Sequence, residues 1–305
     1  MTEQHQQLEQ YLVFVDPVKE RRNQLRRSRR ILRTDKVPLS WSTPGHGVAK
    51  DSCGKLSNSK LGCLNVAMHP GHKVYVEHHR NTCRNPRCPV CSKKWVARES
   101  MRAADRIELA SKQLGLPPKH IVLSVPVSLR PAFNRLDGYV RMRGLAYKIA
   151  KEVNILGGIM IFHAFRDDKT TFSPHFHVLG FGWVDDVKEV NFKSGWVIKN
   201  LGVRKNRKSI YTTLRYELDH CGIPQTRNNR SIVSPISWFG AASYNKLKVP
   251  KPEKQRCPHC GATLTRIRWW GTGDHPCKDL EEGDYLLDPG GWDYDDSLGL
   301  GDVYI

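Results

Sequence analysis

The sequence predicts a mixed α+β protein organised around an antiparallel hairpin, with a cysteine-rich segment on either side. Three observations predict it. Two apolar runs, GGIMIFHAF and HFHVLGFGWV, are joined by the short polar link RDDKTTFSP, the pattern of two strands and a turn. Stretches with 3.6-residue apolar periodicity flank them. The cysteines gather around CPVC and CPHC instead of spreading as a disulfide framework would.

Taken in order, residues 17–36 (PVKERRNQLRRSRRILRTDK) are a basic run with few large apolar residues. This is an arm for phosphate contact, either solvated or a helix that orders on nucleic acid. Residues 37–60 are rich in Pro, Gly and Ser and read as loop. CRNPRCPVC at 83–91 runs into KKWVARESMRAADRIELASKQLG, a helix ending at a glycine C-cap. HIVLSVPVS reads as a buried strand. A second helix is expected over 132–153, with Leu136, Val140, Leu145, Ile149 and Val153 as its stripe. The hairpin follows, then a strand-or-loop region at 183–209 ending in VRKNRKS. SIYTTLRYELDHCGI reads as a helix closed by Gly222. VSPISWFGAASYNKL leads to a second cysteine segment, CPHCGATLTRIRWWGTGDHPC. Residues 279–305 hold nine acidic residues and no Lys or Arg, an acidic tail expected to be disordered or to fold back on a basic surface.

The totals narrow the function. The 305 residues carry a net charge of +19, which favours a polyanion, nucleic acid above all. No apolar run approaches the roughly 18 residues of a membrane helix, and MTEQHQQLEQ carries no export signal. These features predict a soluble cytoplasmic protein with no membrane partner. Cysteine clusters in such a chain point to metal. Cys83, Cys88 and Cys91 offer three thiolates to one tetrahedral Zn²⁺, with Cys63 the first choice for a fourth ligand and Cys53 or His79 next. Cys257, Cys260 and Cys277 form the second set, with His275 the nearest fourth ligand. Both sites would be structural, closed and redox-inert.

His175 and His177 stand one apart at the head of an apolar strand, so alternation sends both imidazoles to one face. His163 lies in the preceding strand, and a hairpin can set it beside them. Three imidazoles leave open positions on a divalent cation, as a Lewis acid requires.

HFH with its apolar tail resembles the histidine–hydrophobe–histidine motif of HUH endonucleases. The set GGIMIFHAFR, FSPHFHVLGFGW, YELDH and the upstream CPVC knuckle is similar to rolling-circle replication initiator (Rep) proteins of archaeal plasmids and viruses, over roughly residues 80–250. The resemblance implies a ferredoxin-like nuclease domain with a central antiparallel sheet, HIVLSVP supplying its first-motif strand. It also implies Mg²⁺ or Mn²⁺ on His175 and His177, with His163 at the place of a third ligand. A tyrosine on the following helix would attack single-stranded origin DNA, leaving a 5′-phosphotyrosine and a free 3′-hydroxyl. Tyr216 is the first choice, with His220 one turn on as a base; Tyr211 and Tyr244 are alternatives. No GxxxxGK[ST] motif is present, so a host helicase and DNA polymerase would be partners.

The expected organisation is therefore a basic arm at 1–50, a zinc module at 51–100, the HUH endonuclease domain at 101–250, a zinc ribbon at 251–280 and an acidic tail at 281–305. DNA contacts are expected from Arg26, Arg27, Arg29 and Arg30 in the arm, and from Arg204, Lys205, Arg207 and Lys208. One or two of Trp95, Trp183, Trp196, Trp238, Trp269 and Trp270 would stack on bases. Three rivals compete: a non-catalytic zinc-dependent DNA-binding regulator, a transposase with the same tyrosine chemistry, and an RNA-binding zinc protein.

Overall fold

A computed structural model describes residues 39–55, 59–77, 80–225, 234–250, 253–271, 276 and 283–295. It is a mixed α+β protein with antiparallel sheets. In chain order the elements begin with β1 (Ser40–Ser42), β2 (Ser59–Cys63), β3 (Val74–Glu77), α1 (Ser92–Leu114) and β4 (Lys119–Ser124). Then come α2 (Leu136–Glu152), β5 (Ile155–Phe165), β6 (Phe172–Gly182), α3 (Val187–Ser194), β7 (Val197–Val203) and α4 (Arg207–Asp219). The last are β8 (Ile223–Gln225), β9 (Ile236–Gly240), β10 (Thr265–Trp269), β11 (Asp284–Leu287) and β12 (Trp292–Tyr294). None of the described helices is long and apolar enough to cross a membrane.

The chain divides into two units. The first comprises residues up to His46 together with Lys93–Val249. Its main sheet has the order β7-β4-β6-β5-β9, antiparallel throughout. The expected hairpin is its centre: β5 and β6 pair with His163 opposite His175 and Ile161 opposite His177. Alternation then sorts the side chains. Met160, Phe162, Phe176, Val178, Ile121 and Leu123 face one way and meet Leu136, Tyr139, Met142, Ala146 and Ile149 of α2. Phe133 stacks on Phe162 at 5.2 Å within that layer. On the opposite face Ile159, Ile161, Leu179 and Phe181 pack with Val96, Ala103, Ala104, Ile107 and Ala110 of α1 and Ile210, Leu214 and Leu218 of α4. Each large apolar side chain buried this way contributes about 1.5–3 kcal/mol.

Several elements differ from the expectation. The second helix does not begin at 132: Val127–Asn134 is a 3-10 segment holding Pro131, and the α-helix starts at Leu136. Proline has no N–H to give an α-helical interior, so the tighter turn precedes it. Gly115 caps α1 as expected, with φ 64°. Gly222 is not the cap of α4, which ends at Asp219. Its amide donates to the Phe162 carbonyl at 2.7 Å, and a Cβ there would fall 2.9 Å from the Phe162 ring. The residue is needed for close approach. Within the region read as loop, β1 pairs with β8, Trp41 opposite Pro224.

The second unit comprises Gly47–Ser92 and residues from Pro250 onward. Its sheet runs β11-β3-β2-β10-β12. The structure differs here from two separate zinc modules, because the segments around both cysteine clusters share one sheet. β10 pairs with β2, Thr265 opposite Gly62. The acidic segment supplies β11 against β3 and β12 against β10. Val74, Val76, Ile267 and Trp292 pack on one face of this sheet, and Leu61, Cys63, Tyr75 and Leu264 on the other. Such short strands bury little apart, so the cysteine segments complete one another.

Candidate metal centres

Two four-residue clusters in the second unit could hold zinc. Cys53, Cys83, Cys88 and Cys91 place their sulfurs within 4.8 Å of one another. The CPVC turn is a knuckle in which the Cys91 amide donates to the Cys88 carbonyl at 3.2 Å and the Ser92 amide to the same oxygen at 2.9 Å. Its fourth member is Cys53, not Cys63. Cys63, on β2, belongs to the other cluster, with His69, Cys257 and Cys260. There Cys63 Sγ lies 3.6 Å from Cys260 Sγ, near the roughly 3.8 Å that a tetrahedron with 2.3 Å Zn–S bonds requires. His69 Nε2 lies 3.3 Å from Cys257 Sγ and 3.4 Å from Cys260 Sγ. Its Nδ1 donates to the Lys73 carbonyl at 2.8 Å, which leaves Nε2 with a lone pair for metal. The Ala262 amide and His69 pull the Cys260 thiol down to about 7. His69 was not legible as a ligand because NVAMHPGHK reads as loop with no cysteine beside it. His79, His275 and Cys277 lie outside the described residues, as do Arg26, Arg27, Arg29 and Arg30 of the arm.

In the first unit the sheet brings His163, His175 and His177 together as read from the sequence, their ligand atoms within 4.8 Å of one another. The ring centroids of His163 and His177 are 4.2 Å apart, and those of His175 and His177 4.9 Å. The hydrogen bonds fix the tautomers. A carbonyl only accepts, so His175 Nδ1–H donates to Ser173 O at 2.7 Å and His163 Nε2–H to Glu217 O at 2.8 Å. His177 Nδ1 faces Glu217 Oε2 at 2.8 Å. The nitrogens left over are His175 Nε2, His177 Nε2 and His163 Nδ1, one per ring.

Glu217 is the residue that the sequence reading missed. It is almost wholly buried, and its carboxylate lies 3.1 Å from both His120 and His163. Burial pushes its pKa up, but hydrogen bonds from His120, His163 and His177 outweigh this and hold it well below the usual carboxylate range. Oε2 lies 3.1 Å from His163 Nε2 and 2.8 Å from His177 Nδ1, so buried negative charge backs the imidazoles. A cation held by them would offset that charge, and this donor set fits one. The missed signal was helical spacing. Ile210, Leu214, Glu217 and Leu218 share one face of α4, so Glu217 is a charge on an apolar stripe.

His120 of β4 completes the rear of the site. Arg204 donates from Nη2 to His120 Nδ1 at 2.9 Å and from Nε to Thr213 Oγ1 at 2.7 Å. A guanidinium only donates, so His120 carries its proton on Nε2, which faces Glu217 Oε1 at 3.1 Å. His120, His177 and Glu217 also converge as a potential ligand set, but hydrogen-bond spacing and the adjoining guanidinium fit a proton-linked network better than a second dication. Burial and the neighbouring His163 lower His175 to about 4 and His177 to about 3, so both rings are neutral near pH 7.

The structure separates the three tyrosines. Tyr216 is 45% exposed at the rim, and its hydroxyl donates to Asp167 Oδ1 at 2.9 Å. Its ring lies 4.4 Å from that of His220, which in turn lies 6.4 Å from His163. Tyr211 packs against the α1–α4 core. Tyr244 sits under Arg106, 4.3 Å from its guanidinium, beside Trp238. His220 directs its Nδ1 to the Tyr216 carbonyl at 2.9 Å. Burial and Asp167 push the Tyr216 phenol up to about 12.

The expected DNA contacts also sort. Lys205 and Lys208 are exposed, whereas Arg204 serves the site and Arg207 pairs with Asp105 and Glu108. Of the six tryptophans, Trp183 and Trp270 stand out at 71% and 62% exposure, while Trp95 and Trp196 are core residues. No family model, curated protein or solved structure matches the chain.

Proposed function

We propose that this chain is a metal-dependent HUH-type endonuclease that nicks and rejoins single-stranded DNA through Tyr216, and that it initiates rolling-circle replication of a plasmid or virus. The observation carrying this reading is the set of three imidazoles, each anchored through one nitrogen and open at the other, on a sheet packed against the helix that carries the exposed Tyr216. An antiparallel sheet with helices on both faces suits the ferredoxin-like nuclease arrangement. The net charge of +19 suits a polyanionic substrate.

Mg²⁺ or Mn²⁺ held by His163, His175 and His177 would polarise the scissile phosphate and neutralise charge on its oxygens. Glu217 and Ser173 keep those rings in the ligating tautomers and orientations. The rigid sheet holds the three at fixed spacing, which saves the ordering cost at the moment of reaction. Tyr216, one residue from Glu217 on α4, supplies the attacking oxygen. The bond made is Tyr216 Oη to phosphorus and the bond broken is phosphorus to the 3′ oxygen. The ester conserves the bond energy, so a later hydroxyl reverses the transfer without ATP. Host polymerase would extend the freed 3′-hydroxyl, and a recruited helicase would open the duplex. Zinc in the second unit would be structural.

The test is nicking of a labelled single-stranded oligonucleotide from the cognate origin with Mn²⁺. Cleavage should require the divalent ion and vanish in His175→Ala with the fold retained. Cleavage undiminished by chelation or by loss of His175 would refute the reading.

A further inference from the structure

The geometry points to Asp167 as the general base for Tyr216, an inference that rests on the nuclease reading above. The phenol must lose a proton as it attacks, and burial with its carboxylate neighbour makes that loss harder in the resting protein. His220 was the obvious acceptor by helical spacing. Its ring is tilted 34° to the tyrosine ring with centroids 4.4 Å apart, and its Nδ1 is committed to the Tyr216 carbonyl. The group that touches the reacting oxygen is a carboxylate from a different element, at the tip of the β5–β6 turn.

That turn is built to hold it. Asp168 accepts from the amides of Thr170 and Thr171, each at 2.8 Å, and from the Thr171 hydroxyl. The Arg166 amide donates to Thr171 O at 3.0 Å and the Lys169 amide to Arg166 O at 2.9 Å. Lys169 Nζ reaches Asp219 Oδ2 on α4 at 3.5 Å, a second tie between turn and helix. The hairpin that presents His163 and His175 therefore also presents Asp167 to the helix that carries Tyr216. One element sets both the electrophile's anchor and the nucleophile's proton acceptor, which keeps them in register.

In the step itself the Tyr216 Oη–phosphorus bond forms as its proton moves to Asp167 Oδ1. The phosphorus–O3′ bond breaks, and the departing 3′ oxygen takes a proton from water. In the reverse direction the same carboxyl group returns its proton to Tyr216 as the phosphotyrosine is displaced.

The experiment compares Asp167→Asn, Asp167→Glu and Asp167→Ala in the full-length chain with Mn²⁺. Single-turnover cleavage of a saturating single-stranded oligonucleotide and rejoining by the isolated adduct are both timed. Asparagine keeps an acceptor for the phenol but loses basicity, so Asp167→Asn should slow both directions by the same factor, on the order of 10²-fold. Oligonucleotide and Mn²⁺ affinity should stay unchanged, and Asp167→Glu should recover part of the rate. The proposal is overturned if Asp167→Asn is as fast as the parent or faster, if only Asp167→Ala is slow, or if Asp167→Asn loses Mn²⁺. An adduct on another tyrosine would remove the proposal yet leave the nuclease class standing, whereas no adduct from the parent chain would remove both.

Discussion

At the residue scale, the site depends on keeping basic rings neutral in a buried place. His175 and His177 titrate near 4 and near 3 in the fold, against about 6.5 in the unfolded chain. Between those values the unfolded state binds more protons, so the stability from neutral rings is full above about pH 6.5 and falls as pH drops toward 4. In chelator-treated protein the urea midpoint of the first unit should therefore decline from pH 7 to pH 4.5, and His175→Gln should flatten that decline. A midpoint independent of pH there would mean that the rings titrate normally. Glu217 is the second lever. Glu217→Gln keeps its size but removes the charge behind His163 and His177, so Mn²⁺ affinity by calorimetry should fall about 10–100-fold with the circular dichroism unchanged. Undiminished affinity would make Glu217 a packing residue. The three histidines were legible because strand alternation is a strict rule. His120 was not, since its partners lie on elements distant in sequence, and Glu217 showed only as a charge on the apolar stripe of α4.

At the element scale, the β5–β6 hairpin was readable from two apolar runs and a polar link, because local pattern and final packing agree there. β7 and the short α3 were left as a mixed region, since VIKNLGV at a sheet edge has little alternation to betray it. The β1–β8 pair was invisible, three residues against three at a separation of 185 residues between Ser40 and Gln225. α4 shows how an element carries two tasks. Ile210, Leu214 and Leu218 anchor it in the core, while Glu217 meets His163 and His177 and Tyr216 meets Asp167 of the hairpin turn. The chain just beyond its end sits against Phe162 through Gly222, where a side chain does not fit. Gly222→Ala should cost about 1–3 kcal/mol from overpacking and should lower cleavage more than DNA binding, because α4 must shift. Full stability in denaturant titration would contradict this packing account.

At the scale of the whole molecule, the cysteine spacing announced two candidate metal clusters but put Cys63 first at the wrong one. Local knuckles are set by sequence; the remaining ligands are set by strand pairing, which put Cys63 beside CPHC and left Cys53 to CPVC. The second unit should bind two zinc ions per chain by atomic absorption. Cys53→Ser and Cys63→Ser should each lose one, and the double variant both. Exhaustive chelation should unfold this unit, since structural zinc supplies on the order of 10 kcal/mol or more of folding energy in small modules. Retention of both ions in either single variant would break the assignment.

The most direct measurement of the central claim is to trap the reaction of single-stranded origin DNA with Mn²⁺, digest the protein and identify the nucleotide-bearing peptide by mass spectrometry. The account predicts one modified residue, Tyr216, and no adduct when His163, His175 and His177 are replaced together by alanine. Modification at Tyr211 or Tyr244, or an adduct that survives loss of the three histidines, would contradict it.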